Sequence, residues 1–359
     1  MAYGLPQVTL TFAAAVKTAA ASSASGRLAM VIRDEGATET VILSATSEAE
    51  ALAAMDWTDV SERAISQAFL GKPQSLILVV LPSGATLVEG YALLENQRFD
   101  VCTVAGLQPE ESAAFITWAK NAYDEKRRRA LYVAASSVVP DHPAIIHFDT
   151  SSILVDDVTY SAYDYLPRIA GALAGLQLWE SATYLVLPEV DDCPHLTRSQ
   201  ANAAIATGKL ILFHDGEKVK IARGVTSLTT LGTSYTTDFQ KAKVVRILNR
   251  LEEDIITNIE DNYIGKVPNT FVQKQLLISA ISDYLKNMED VGVLQPGTSS
   301  IGIDMAKQRA YLKTKFSASV VDAMDDEQVR EMVTEDKLFL SGTIRPADSI
   351  EDVAIVFTL

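Results

Sequence analysis

The chain has 359 residues, 48% of them hydrophobic and 21% charged, with a formal net charge of −15. That apolar fraction excludes disorder and suffices for about two or three packed domains, while the negative balance lacks the basic face that a nucleic-acid binder needs. Its apolar runs, such as Leu76 to Leu81 and Ile169 to Leu176, fall far short of the roughly 20 residues of a membrane span.

Taken in chain order, Gln7 to Phe12 alternates as one face of a strand would, and Val8 to Val16 faintly imitates a signal peptide. No positive segment precedes it, and Thr9, Thr11 and Lys17 interrupt it, so the expectation is synthesis in the cytoplasm without a signal peptide. Ala13 to Gly26 is Ala/Ser-rich, a pliable linker or weak helix that would let residues 1–25 act as an arm. From Arg27 a strand, Leu-Ala-Met-Val-Ile-Arg-Asp, begins an alternation. Thr40 to Leu43, Ser75 to Leu81, Phe99 to Val104 and Leu131 to Ala135 read as strands, with helices over Val60 to Leu70, Thr86 to Asn96 and Pro109 to Arg128. Continuous apolar strands taking turns with helices predict an α/β, mostly parallel sheet covered on both faces over 26–140.

Residues 141–235 read as a β-rich continuation: strands at Ala144 to Phe148, Ile153 to Val155, Asp157 to Tyr160 and Thr183 to Leu187. A helix over Tyr163 to Leu176 carries Gly171 and Gly175 for close packing, and another covers Arg198 to Thr207. Asp215-Gly216 turns a hairpin of Lys209 to His214 with Val219 to Arg223. Residues 236–345 read as an α+β domain, with helices over Thr237 to Asn262, Thr270 to Asp290, Asp304 to Lys315 and Asp325 to Val333. Lys337 to Ile344 and Val353 to Leu359 are β-rich runs flanking a polar turn, a terminal hairpin in which Val353, Ile355, Phe357 and Leu359 form one apolar face, with Ala354 and Val356 on the other. An exposed apolar strand templates association, so 346–359 is expected to pair with a sheet, its own or a neighbour's.

Motifs for catalysis are missing: no glycine-rich phosphate loop, no Gly-x-Ser-x-Gly elbow and no His-Glu-x-x-His. The histidines 142, 147, 195 and 214 share no catalytic spacing, and Asp191, Asp192, Cys193 and His195 are potential ligands without a second pair, so neither metal nor cofactor is expected. Cys102 and Cys193 read as buried thiols, Asp156-Asp157 and Asp325-Asp326 as turn and helix-start residues, and Arg127 to Arg129 as a helix C-terminus. The helix over Thr237 to Asn262 places Lys241, Lys243, Arg246 and Arg250 near its start, against its macrodipole. Either this is a solvated face, or Lys243, Arg246 and Arg250 form a basic docking face.

Segments along the whole chain resemble the contractile tail sheath proteins of phages and phage-tail-like bacteriocins, especially the short sheaths of Gram-positive hosts. The matching stretches are Gly4 to Phe12, Gly26 to Asp34, Arg168 to Gly175, Ala222 to Leu228 and Tyr263 to Asn269, in that order, with the terminal strand. The arginines that the family often carries just before the glycine corresponding to Gly26 are replaced here by Ala-Ser-Ser-Ala-Ser. The resemblance implies a subtilisin-like three-layer α/β domain without a protease triad, a C-terminal domain near an inner tube, and no enzymatic activity. It further implies strand exchange between subunits through Val8, Thr9, Leu10, Thr11 and Phe12 and through Val353, Ile355, Val356, Phe357 and Leu359, with Leu338, Phe339, Leu340 and Ile344 in the receiving strand. The implied partners are further copies of the chain in a helical polymer, the inner tube protein, through Lys241, Lys243, Arg246 and Arg250, and baseplate and tail-terminator proteins. Neither nucleic acid nor direct membrane insertion is expected. The alternatives are a noncontractile tail or baseplate assembly protein, and a hydrolase on a subtilisin-like or doubly wound sheet.

Overall fold

The computed structural model describes residues 26–232 and 235–358. Cα packing divides the chain into two units, one holding Arg250–Ala347 and the other running up to Asn249 and resuming at Asp348.

The larger unit begins with strand β1 (Arg27–Asp34), the edge strand β2 (Val41–Ala45), and helices α1 (Glu48–Leu52) and α2 (Asp59–Phe69). Then follow β3 (Ser75–Pro82), α3 (Leu87–Leu94), β4 (Val101–Val104), α4 (Ser112–Asp124), β5 (Leu131–Ala134) and β6 (Ile145–Phe148). Beyond lie β7 (Ile153–Val155), β8 (Val158–Tyr160), α5 (Leu166–Gly175), α6 (Arg198–Ala206), β9 (Lys209–Leu210), β10 (Leu212–His214) and β11 (Val219–Ile221). Seven strands form one sheet in the order β2-β3-β1-β4-β5-β6-β9. Every pairing in it is parallel except that of β2 with β3. The expected α/β, mostly parallel sheet is therefore what forms. Leu28 to Ile32 and Leu76 to Leu81 are buried at every position, because β1 and β3 are covered on both faces. α2 and α5 pack on one another, and α5 also meets β1, β4 and β5, while α3 meets β1 and β3 and α4 meets β5 and β6.

The glycines of α5 serve the packing that their spacing suggested. A Cβ at Gly171 would stand 2.0 Å from the Ala68 carbonyl oxygen, and one at Gly175 1.5 Å from that of Gly71, so backbone meets backbone where α5 crosses the end of α2. Asp156 and Asp157 both adopt positive φ (47° and 63°), the turn that joins twisted strands β7 and β8. Asp215 caps its own loop by accepting from the Glu217 and Lys218 amides, which turns β10 into β11. Cys102 and Cys193 are free and buried, and burial pushes the Cys193 thiol up to about 11.

Helix α7 (Ala242–Asn262) supplies residues to both units, the smaller one starting at Arg250. The smaller unit adds α8 (Phe271–Asp290), β12 (Ser300–Ile303), α9 (Met305–Leu312), α10 (Ala318–Ala323), α11 (Asp326–Glu331) and β13 (Leu340–Thr343). Leu312, Val321 and Val329 are fully buried among Met305, Met324 and Met332. Asp325 caps α11, and its partner Gln328 closes the capping box.

Three sequence expectations need correction. Thr183 to Leu187 is not a strand; Val186 alone bridges to Lys220. The helix expected from Thr237 is broken: a 3-10 turn spans Thr237–Gln240, and Lys241 is extended (φ −97°, ψ 116°) before α7 begins. The terminal hairpin does not form among the described residues, because β13 pairs with β12 rather than with the run after Asp352.

Candidate assembly site

The segment from Asp348 onward lies against the larger unit through polar contacts only at its start. Lys241 Nζ meets Asp348 Oδ2 at 2.6 Å, and Lys243 Nζ donates to Ser349 Oγ at 3.0 Å. The Glu351 carboxylate accepts from Ser181 Oγ (2.7 Å), Thr183 Oγ1 (2.8 Å) and Arg223 Nε (3.0 Å). Arg223 Nη2 reaches on to Asp352 Oδ2 at 2.6 Å. Past that point the side chains leave the surface: Val353 is 70% exposed, Ile355 69%, Val356 89% and Phe357 86%. Residues 353–358 join no sheet. The predicted connector is thus an exposed apolar run whose backbone groups have no ladder partner among the described residues. Leu359 and the other predicted connector, Val8 to Phe12, lie outside the described residues.

The predicted receiving strand forms in part. Leu340 to Thr343 pairs antiparallel with Ser300 to Ile303, reinforced by a 2.7 Å bond between the Ser300 and Thr343 hydroxyls. Leu338 and Phe339 precede the strand, half-buried, with Phe339 against Tyr311, and Ile344 is buried just after it. This ribbon has only two strands. Each therefore keeps one edge of backbone N–H and C=O groups unpaired among the described residues.

The basic residues of the α7 region all have partners among the described residues. Lys243 and Arg246 are buried, at 6% and 9% exposure. Burial lowers the proton affinity of both, and nearby carboxylates partly offset this, Asp348 and Glu351 for Lys243 and Asp100 and Glu180 for Arg246. Arg246 donates to the Leu176 carbonyl, and Arg250 pairs with Asp254 one turn along the helix. Lys241 is half-exposed and paired with Asp348. The partners of Lys241, Lys243 and Arg246 are Asp348, Ser349 and Leu176, more than fifty positions away in sequence, and sequence spacing carried no sign of them. The seat residues Ser181, Thr183, Arg223, Asp348, Glu351 and Asp352 were missed, although three acids within five positions were a signal.

The sheet's strand order reverses at β1, flanked by β3 and β4, where open α/β sheets generally hold ligands. Here Arg33, near the end of β1, spans that point: its Nη2 meets Glu111 Oε1 at 2.5 Å and its Nε donates to the Ala85 carbonyl at 3.1 Å, tying together the loops that follow β4 and β3. Asp34 beside it accepts from the Thr58 hydroxyl and amide and from the Gly36 amide. The crevice is occupied by the protein's own side chains. A buried serine and histidine and an exposed aspartate do come together, but not as a nucleophile set. Ser227 Oγ donates to the His142 backbone carbonyl at 3.0 Å, while the His142 ring faces Asp124. Burial is the main reason that ring holds its proton weakly. Asp192 accepts from the Cys193 amide and pairs with His195, whose ring stacks on His214. Among the described residues no group of three or more His, Cys, Asp or Glu is arranged to hold a metal ion.

Two family descriptions match this chain: the phage tail sheath protein central domain over residues 82–227 and the phage tail sheath C-terminal domain over 234–359. The chain belongs to the phage tail sheath proteins. The tail sheath protein of Clostridium phage phiCD119 is 29% identical to it over 284 residues, 79% of this chain and 78% of that protein. Among solved structures, the contracted helical sheath of the anti-feeding prophage matches this sheath protein with a TM-score of 0.71 at 14% identity, covering 99% of each chain. The sheath tail protein from Desulfitobacterium hafniense matches with a TM-score of 0.67 at 16% identity, covering 83% of this chain and 94% of that one. At such identities these likenesses show the fold, which the central sheet and its covering helices share. Homology makes this sheath protein a structural subunit of a tail sheath, and so part of a phage tail or a related particle.

Proposed function

We propose that this sheath protein polymerises helically around an inner tube, with subunits linked by strand addition, and that rearrangement of the linked subunits drives the tube through a cell envelope. The observation that carries the reading is the apolar run Val353 to Phe357, exposed along its length and paired with no strand among the described residues. Such a run gains backbone hydrogen bonds and buries apolar area by adding to a sheet edge. The ribbon of β12 and β13 offers an edge of that kind in every copy, in line with Leu338, Phe339, Leu340 and Ile344 as the receiving segment. One copy's run on the next copy's ribbon is a heterologous contact, and a heterologous contact that does not close builds a helical filament. Contraction is then a rigid-body rearrangement that leaves the strand links in place, starting from a kinetically trapped extended state. Val8 to Phe12 would form a second link, and the inner tube, baseplate and tail-terminator proteins would be further partners.

No catalytic step is assigned to the subunit. The occupied switch point at Arg33 and the backbone-directed hydroxyl of Ser227 support a role that is mechanical only. The division expected from sequence, an α/β domain over 26–140 with a β-rich continuation over 141–235, an α+β domain over 236–345 and arms at 1–25 and 346–359, is retained as part of the proposal, as is the subtilisin-like character of the first. Electron microscopy of the purified full chain at rising concentration tests it. Hollow helical tubes are expected; a chain that stays monomeric at every concentration would refute self-polymerisation.

A further inference from the structure

We infer that Asp348–Asp352 is an ionic latch: five residues that seat the root of the connector on its own subunit by charge, and that can let go without disturbing the fold. The seat is built from separate parts of the larger unit. Lys241 lies just before α7 and Lys243 in its first turn, Arg223 follows β11, and Ser181 and Thr183 follow α5. Against them the segment presents Asp348, Glu351 and Asp352 and no cation. Its one large apolar side chain, Ile350, is 89% exposed, so apolar burial adds nothing to the grip. A cleft of about 310 Å³, lined by Leu176, Glu180, Tyr184 and Leu185 as well as by Ser181 and Thr183 of the seat, borders Ser349 to Glu351, so the segment is not packed into the core.

A segment held in this way behaves differently from one held by an apolar plug. Ion pairs near the surface weaken as salt screens them, whereas apolar burial does not. Lys243 ties the closed latch to charge as well. It is buried, its ammonium donates to a neutral hydroxyl, and the charges that favour it are those of Asp348 and Glu351 on the latch itself. With the latch closed, the free run begins at Val353. With it open, the run begins at Asp348, and the freed residues lengthen the connector's reach by about 17 Å when extended. The latch rests on the geometry of one subunit. Its use, to lengthen the link as neighbouring subunits move apart or rotate, rests on the strand-addition reading above.

Spin labels on Ile350→Cys and on Asn202→Cys, exposed on α6, report the seat in the monomeric full chain, since Cys102 and Cys193 are buried. A narrow distance distribution is expected at low ionic strength, broadening at high ionic strength and in Arg223→Gln or Glu351→Gln. The charge swap Lys241→Asp with Asp348→Lys should restore the narrow distribution that either single change broadens. A distribution that stays narrow through the salt titration and in both Gln variants would overturn the latch. The same labels on a chain lacking residues 353–359 should give the narrow distribution whether or not that chain polymerises, so failure of the latch and failure of strand addition are read separately.

Discussion

Gly175 shows how little room single positions leave in this sheath protein. Its absent Cβ lets α5 close on the Gly71 carbonyl, and a methyl there has backbone to displace rather than a flexible side chain. Gly175→Ala is expected to lower the unfolding free energy by about 2 kcal/mol or more, read from the midpoint of urea unfolding. Glu189 carries a pH signature. Burial pushes its carboxyl up, but the paired Arg168 guanidinium (Nε to Oε1, 2.6 Å) and the Tyr165 hydroxyl outweigh this and hold it below its ordinary value. A depressed carboxylate adds stability above its unfolded value, about 4.3, and that stability is lost as pH falls through the lower folded value. Thermal melts at falling pH should therefore show a steeper acid loss in the natural chain than in Glu189→Gln, which has no charge to lose. At this scale the glycine spacing in α5 announced its packing, whereas nothing near Glu189 in sequence pointed to Arg168, 21 positions before it.

Among elements, the strands of the central sheet were legible because parallel strands buried on both faces are apolar at successive positions, as β1 and β3 are. Thr183 to Leu187 carries the same residue types and still fails as a strand, since only Val186 finds a bridging partner. Helix α7 was legible in period but not in environment. Its apolar repeat runs back through a 3-10 turn, and its early cations are buried beneath elements that no local pattern reveals. Charge reversal there acts on the fold. Arg246→Glu removes the donor to the Leu176 carbonyl and buries an acid in its place, so a loss of about 3 to 5 kcal/mol is expected. Lys241→Ala, at a half-exposed pair, should cost under about 1 kcal/mol. Denaturant titration of the two side by side checks the order; equal small losses would show that Arg246 is not held as described.

In the whole molecule, the family and the mostly parallel sheet were both readable from segments spread along the chain, because each segment keeps its local pattern wherever it packs. The pairing of β13 was not, since its partner, Ser-Ile-Gly-Ile at 300–303, is too short to stand out. The connector's need for a sheet partner was read from its apolar alternation, but its seat was not, because Arg223, Lys241 and Lys243 meet residues 348–352 only after more than a hundred intervening positions. The most direct measurement is electron microscopy with sedimentation on a chain ending at Asp352, beside the full chain. Loss of the exposed run should leave a folded, soluble monomer with an unchanged melting temperature and no tubes, while the full chain forms them. Normal tubes from the shortened chain would contradict the assignment of Val353 to Leu359 as the link between subunits.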